Sequence, residues 1–185
     1  MADASPSSGP LGETEQARLG ALAALLDRLA GSARYVGYAQ AERDCEALAA
    51  KLLARFSRAE LQRFSYLPIP RGGLIVLGML SYLLDLAPER LAVGRPPDGP
   101  VVVIDDCALT GARLAATLRA LPETEVVFAH LYSHPALRRA VVRREPRVVE
   151  CLAARDLRDL APESYPDPKD LGRWRRRWRR RLGPG

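Results

Sequence analysis

The spacing of apolar positions changes near residue 64, and that change divides the chain into two textures. Between Glu15 and Leu29 the apolar residues recur at helical spacing up to Gly31, and a second helical pattern runs from about Gln40 to Phe56. Ser57 and Glu60 stand three apart, which is capping-box spacing, and predict a further short turn of helix. From Phe64 onward, short β-rich runs alternate with helical ones, as in βαβ units around a parallel sheet. Strands are predicted near Phe64–Pro68, Arg90–Val93, Val101–Asp105, Glu125–Leu131 and Arg147–Leu152. Helices are predicted at about Gly73–Leu84, Gly111–Leu121 and Pro135–Arg143, with a last one across the C-terminal arginines. The expected fold class is therefore α/β: a parallel sheet flanked by helices, with N-terminal helices and a C-terminal Arg/Trp-rich helix. The expected organisation is a disordered leader over 1–12, a helical segment over 13–62, an α/β core over 63–153 and a final segment over 154–185. The leader "MADASPSSGPLG" is rich in Pro, Ser and Gly and lacks an apolar cluster.

Composition narrows the class. A chain of 185 residues with 48% apolar and 27% charged residues fits one globular domain. The longest apolar run, Leu74–Leu84, is too short to cross a bilayer, and no basic-then-apolar leader is visible, so a cytoplasmic protein is expected. Cys45, Cys107 and Cys151 are odd in number and widely spaced, which predicts reduced thiols. The formal charge of +6 is unevenly spread: the seven arginines of "RWRRRWRRR", Arg173–Arg181, account for all of it, and without them the chain stands at −1. Trp174 and Trp178 are four apart on one helical face, so one reading packs both indoles on the body with arginines outward. The other reading gives the tail a nucleic acid, an acidic protein or an anionic membrane surface as partner.

Candidate chemistry lies at two strand ends, because ligands of open parallel sheets bind beyond the carboxyl ends of the strands. In "IPRGGL", Ile69–Leu74, paired glycines allow a sharp turn and close approach to a ligand, and Arg71 offers a cation. In "VVVIDDCALTGAR", Val101–Arg113, Thr110 is placed to cap a helix whose first N–H groups, on Gly111, Ala112 and Arg113, converge on one point as at anion-binding helix starts. Asp105 and Asp106 just upstream can accept hydrogen bonds from sugar hydroxyls or hold Mg²⁺. Two solvated acids in an ordinary strand-to-helix turn are the plainer alternative. Neither a dinucleotide fingerprint nor a Walker loop is present, and the 79 residues after Asp106 are too few for a receiver domain. His130 and His134 show no metal spacing, and His134 before Pro135 predicts a helix start.

The stretch Val101–Arg113 resembles the thirteen-residue signature of the type I phosphoribosyltransferases, and "IPRGGL" resembles the pyrophosphate loop that this family places one crossover earlier. The resemblance covers about Phe64 to Leu152. It implies that a phosphoribosyl diphosphate bound with Mg²⁺ passes its phosphoribosyl group to a base or similar acceptor. Carried over by position, Asp105 and Asp106 would hold the ribose hydroxyls and the Mg²⁺. Ala108, Leu109, Thr110, Gly111, Ala112 and Arg113 would wrap the 5′-phosphate, and Arg71, Gly72 and Gly73 would meet the pyrophosphate. Leu109 and Arg113 depart from the hydroxyl residues usual there, and Arg113 points either inward, to a phosphate, or outward. The connection "GRPPDGP", Gly94–Pro100, is short where many members carry a mobile loop. The segment "ARDLRDLAPESYPDP", with Asp156 and Tyr165, lies where the family builds its acceptor hood. The expected function is phosphoribosyl transfer, with a non-catalytic sensor or regulator of the same fold as the alternative. Expected partners are phosphoribosyl diphosphate or a related ribose phosphate, a nucleic acid or acidic partner at Arg173–Arg181, and a second copy of the chain.

Overall fold

The computed structural model describes residues 12–32, 35–159 and 166–181. The chain divides into two units, Met1–Gly37 and Tyr38–Gly185. Among the described residues the first contains one helix, α1 (Glu13–Ser32). Apart from Gly12, the expected leader lies outside the described residues, as do Tyr165 and the indoles of Trp174 and Trp178.

The second unit begins with α2 (Tyr38–Arg55) and the one-turn α3 (Arg58–Leu61). The predicted capping box forms: the Glu60 N–H donates to Ser57 Oγ, while the Ser57 N–H donates to the Glu60 carboxylate. Four parallel strands follow, β1 (Ser65–Pro68), β2 (Val101–Ala108), β3 (Val126–Ser133) and β4 (Val148–Asp156), in spatial order β1-β2-β3-β4. Helices α4 (Gly72–Leu83), α5 (Ala112–Ala120) and α6 (Pro135–Arg144) connect them, and α7 (Pro168–Arg181) ends the described chain. As the sequence predicts, His134 caps α6, its ring accepting the Ala136 N–H at 3.1 Å. The fold is thus α/β with helices on both faces of a parallel sheet. No described helix is long and apolar enough to cross a membrane.

Val101 to Ile104 are fully buried because each face of the sheet is covered, which is why β2 reads as an unbroken apolar run. Val102, Ile104, Val127 and Ala129 face α2 and α4 through Leu48, Leu52, Val76 and Leu80. Val101, Val103, Val126 and Phe128 face α5 and α6 through Leu114, Leu118 and Val141.

The predicted strand Arg90–Val93 is not formed. Pro88–Arg90 make a turn of 3-10 helix, and only Leu91 bridges to Tyr66, in parallel sense, with the Ala92 N–H donating to Tyr66 O at 2.9 Å. Pro88 at one end and the Arg95 guanidinium on the carbonyls of Leu91 and Glu89 at the other keep the segment from extending. This stub nevertheless fixes the topology. The chain leaves β1, crosses through α4 on one face to the outer edge of β1, then returns to β2, after which α5 and α6 cross on the opposite face. The winding direction reverses between β1 and β2, the place where doubly wound sheets open a crevice for a ligand.

Candidate functional site

Both loops singled out in the sequence leave the sheet at that crevice. The first turns from β1 into α4 through a cis peptide between Pro70 and Arg71, and the Gly73 N–H closes the turn on Ile69 O at 3.0 Å. A Cβ on Gly72 would lie 2.2 Å from the Asp106 carboxylate carbon, and one on Gly73 would lie 2.3 Å from Ile104 O. No side chain fits at either position, so the glycine pair is what lets the start of α4 press against the end of β2. The Arg71 side chain is exposed and meets no carboxylate among the described residues.

Strand β2 runs further than expected: Cys107 and Ala108 still pair with Tyr132 and Ser133 of β3. Asp105 and Asp106 therefore stand within the strand, with their carboxyl groups close enough to meet one guanidinium. Asp105 is 1% exposed, while Asp106 is partly exposed. Burial, together with the hydrogen bond shared with Asp106, pushes the Asp105 carboxyl up to about 7. Burial works against Asp106 as well, but Asp105, the Arg113 guanidinium and the Cys107 N–H at 2.8 Å outweigh it and hold that carboxyl below its ordinary value. A pair split in this way resists carrying two full charges near neutrality.

The anion cradle differs in detail from expectation. Gly111, not Thr110, is the N-cap of α5, in the left-handed conformation at φ 78° and ψ 0° that glycine adopts without a Cβ penalty. Thr110 sits one residue earlier, and its Oγ accepts the Ala112 N–H at 3.3 Å. The N–H groups of Gly111 and Arg113 have no protein acceptor among the described residues, which leaves two donors of the expected three at the helix mouth. Ala108 is buried at the base of the loop and Leu109 is 74% exposed, with no polar atom to offer.

The Arg113 guanidinium turns to the two acids, an arrangement that neither of its two expected orientations includes. Its Nη2 lies 3.1 Å from Asp105 Oδ2, 3.1 Å from Asp106 Oδ1 and 3.1 Å from the Cys107 carbonyl. The carboxylate oxygens that a Mg²⁺ would require thus face a guanidinium nitrogen, and the pair does not fit that ion as it stands.

A second polar cluster at the same end of the sheet has no signature in the sequence. Asp44 of α2 is 1% exposed and accepts hydrogen bonds from the Tyr132 hydroxyl at 2.5 Å, Arg155 Nε at 2.7 Å and Gln40 Nε2 at 3.0 Å. Gln40 is four residues away, but Tyr132 and Arg155 are 88 and 111 residues away along the chain, a separation no local pattern encodes. Asp156, the hood candidate, is bound by Arg138 Nη2 at 2.6 Å. Connection Gly94–Pro100 is held at the opposite end of the strands, where Ser65 Oγ donates to Asp98 O at 2.6 Å and the Ser65 N–H to Pro100 O at 2.9 Å. The length of β2 separates it from the acids. A cavity of about 290 Å³ lies beside it, lined in part by Ser65, Arg90, Arg95 and Asp98.

No protein-family model matches the chain, and no curated protein matches it. Among solved structures it is similar to a purine phosphoribosyltransferase from Pyrococcus horikoshii Ot3, at 24% identity over 67% of this chain and 87% of that one, with a TM-score of 0.45. It is similar to a hypothetical protein from Neisseria gonorrhoeae with bound ppGpp, at 16% identity over 75% of this chain and 93% of that one, with a TM-score of 0.49. An orotate phosphoribosyltransferase from Aeropyrum pernix matches at 25% identity over 60% of this chain and 69% of that one, with a TM-score of 0.41.

Proposed function

We propose that this chain binds phosphoribosyl diphosphate, or a related ribose phosphate, in the crevice between β1 and β2 and transfers the phosphoribosyl group to a base or similar acceptor. The observation that carries this reading is the contact between Gly72 and Asp106. Through it, a loop with an exposed Arg71, two vicinal acids and the open mouth of α5 share one crevice. In this reading Gly111, Ala112 and Arg113 present their helix start to the 5′-phosphate, with Thr110 beside them. Asp106 accepts from the ribose hydroxyls with the buried Asp105 carboxyl behind it, and Arg71 with the Gly72–Gly73 turn receives the pyrophosphate.

In the transfer, the bond from the sugar's C1 to the pyrophosphate oxygen breaks with its electron pair going to pyrophosphate, and the acceptor's lone pair forms the new bond to C1. Nothing in this chemistry requires a covalent nucleophile on the protein, so the residues contribute through position and fixed charge. Arg71 stabilises the negative charge that builds on the leaving group, and the partly exposed Asp106, with Asp105 buried behind it, faces a sugar carbon that becomes electron-poor.

The test is incubation with phosphoribosyl diphosphate and a panel of bases, reading pyrophosphate release and thermal stabilisation together. Both are expected for the wild type, and both are expected to vanish in Asp105→Asn with Asp106→Asn. Stabilisation without pyrophosphate release would identify a binding protein in place of a transferase. Stabilisation that survives the double substitution would place the ligand elsewhere and overturn the reading.

A further inference from the structure

The environment of Arg113 bears on how the site manages charge. Its Nη2 makes three contacts at a single distance of 3.1 Å, to one oxygen of each acid and to the Cys107 carbonyl. A hard cation bridging two carboxylates is bound by oxygens of this kind. Two of the four carboxylate oxygens also serve backbone donors: Asp105 Oδ1 accepts the Asp106 N–H at 2.9 Å and Asp106 Oδ1 the Cys107 N–H at 2.8 Å, while Asp106 Oδ2 lies beside Gly72. Among the described residues no three His, Cys, Asp or Glu side chains gather as a metal cage.

Half of the Arg113 side chain is nevertheless exposed to solvent. In the first turn of α5 a cation opposes the helix dipole, a cost that the two carboxylates offset. The residue therefore presents one edge to the acids and the rest to solvent, and a planar guanidinium is suited to bridging two acidic groups in this way.

We infer that Arg113 is a resident cation which stands in for a divalent metal, so that this crevice binds its ribose-phosphate ligand without one. The ligand half of the statement rests on the function proposed above; the cation half rests on the contacts of Arg113 alone. Replacing Arg113 by a small neutral residue leaves two adjacent carboxylates without a countercharge, and such a pair attracts a divalent ion.

Full-length wild type and Arg113→Ser are titrated with Mn²⁺ alone, read by electron paramagnetic resonance. Arg113→Gln serves as a second variant that keeps the bulk, and circular dichroism checks the fold of each. The variants are expected to bind Mn²⁺ at least ~10-fold more tightly than the wild type, since a unit charge within 4 Å has been removed. Adding Asp105→Asn should cancel the gain. Wild type is then titrated calorimetrically with ribose 5-phosphate in EDTA and in Mg²⁺, and the two isotherms should coincide. Wild-type affinity for Mn²⁺ equal to that of both variants overturns the inference, and so does ribose 5-phosphate binding that appears only with Mg²⁺. If ribose 5-phosphate binds under neither condition, the ribose-phosphate reading fails, while the Mn²⁺ titrations still decide whether Arg113 holds the place of a metal.

Discussion

Asp105 and His130 are neighbours in register across β2 and β3, so their side chains share a face of the sheet, and burial treats them differently. Asp105 finds Arg113 and a backbone N–H. His130 is fully buried, packs its ring 4.4 Å from that of Phe128, and neither ring nitrogen has a protein partner among the described residues. Burial, with the Arg138 charge nearby, pushes its pKa down to about 3. Between that value and the ordinary 6.5 the unfolded chain binds a proton that the folded chain refuses. Stability should therefore fall as pH drops below 6.5, by up to ~1.4 kcal/mol per pH unit from this residue. His130→Leu removes the orphaned nitrogens and should leave stability at pH 7 unchanged or raised, with a shallower decline toward pH 5 in urea unfolding. A decline of equal slope in the variant would clear His130 of that role. The acids were legible in the sequence because a strand ending in two carboxylates is a local pattern. The direction of Arg113 was not, since an arginine at a helix start is free to turn either way until its surroundings are built.

At the scale of elements, helix α2 shows what the pattern of apolar positions leaves out. Its periodicity predicts a helix, and Cys45, Leu48, Ala49 and Leu52 bury as that periodicity requires. The pattern gives no hint that Asp44 goes under with them. Burial alone would raise its carboxyl, but hydrogen bonds from Tyr132, Arg155 and Gln40 hold it below the usual value. The contribution is present above pH 3.8 and is lost as pH falls through the lower folded value. The two halves of the Arg155–Asp44 pair are unequal, because the arginine side chain is 55% exposed and the acid is not. Arg155→Ala leaves the buried carboxylate with Tyr132 and Gln40 but no cation and should destabilise the fold more at pH 7 than Asp44→Asn, which leaves its partner in water and should cost about 1–2 kcal/mol. Urea denaturation of both variants checks the order, and equal losses would show that burial of the acid is not what sets the cost. The strands that form were visible as β-rich runs. Arg90–Val93 looked like one because Leu91, Ala92 and Val93 form a short apolar run, but a single bridge to an edge strand is all that Pro88 and Arg95 permit.

Over the whole molecule, the sheet and the charge lie in different parts of the sequence. Residues 65 to 156 supply the strands and the crevice, while α7 gathers seven arginines against a chain that is otherwise at −1. Electrostatic attraction to a polyanion should therefore come almost entirely from that helix and weaken steeply with salt. Retention on heparin is expected to fall sharply on truncation after Leu171, and unchanged retention would move the basic surface elsewhere. The reversal between β1 and β2 was only partly legible, because the sequence showed alternating elements but not which face each crossover takes. That choice depends on the stub at Leu91, which is too short to announce itself.

The close approach of Gly72 to Asp106 also has a genetic consequence. With only 2.2 Å available to a methyl group, the two loops behave as one mechanical part. The Asp106 Cβ itself would lie 2.7 Å from the added methyl group, so a damaging Gly72→Ala lesion should find its suppressor in Asp106→Gly, a revertant that regains folding while giving up the acid that the ligand needs.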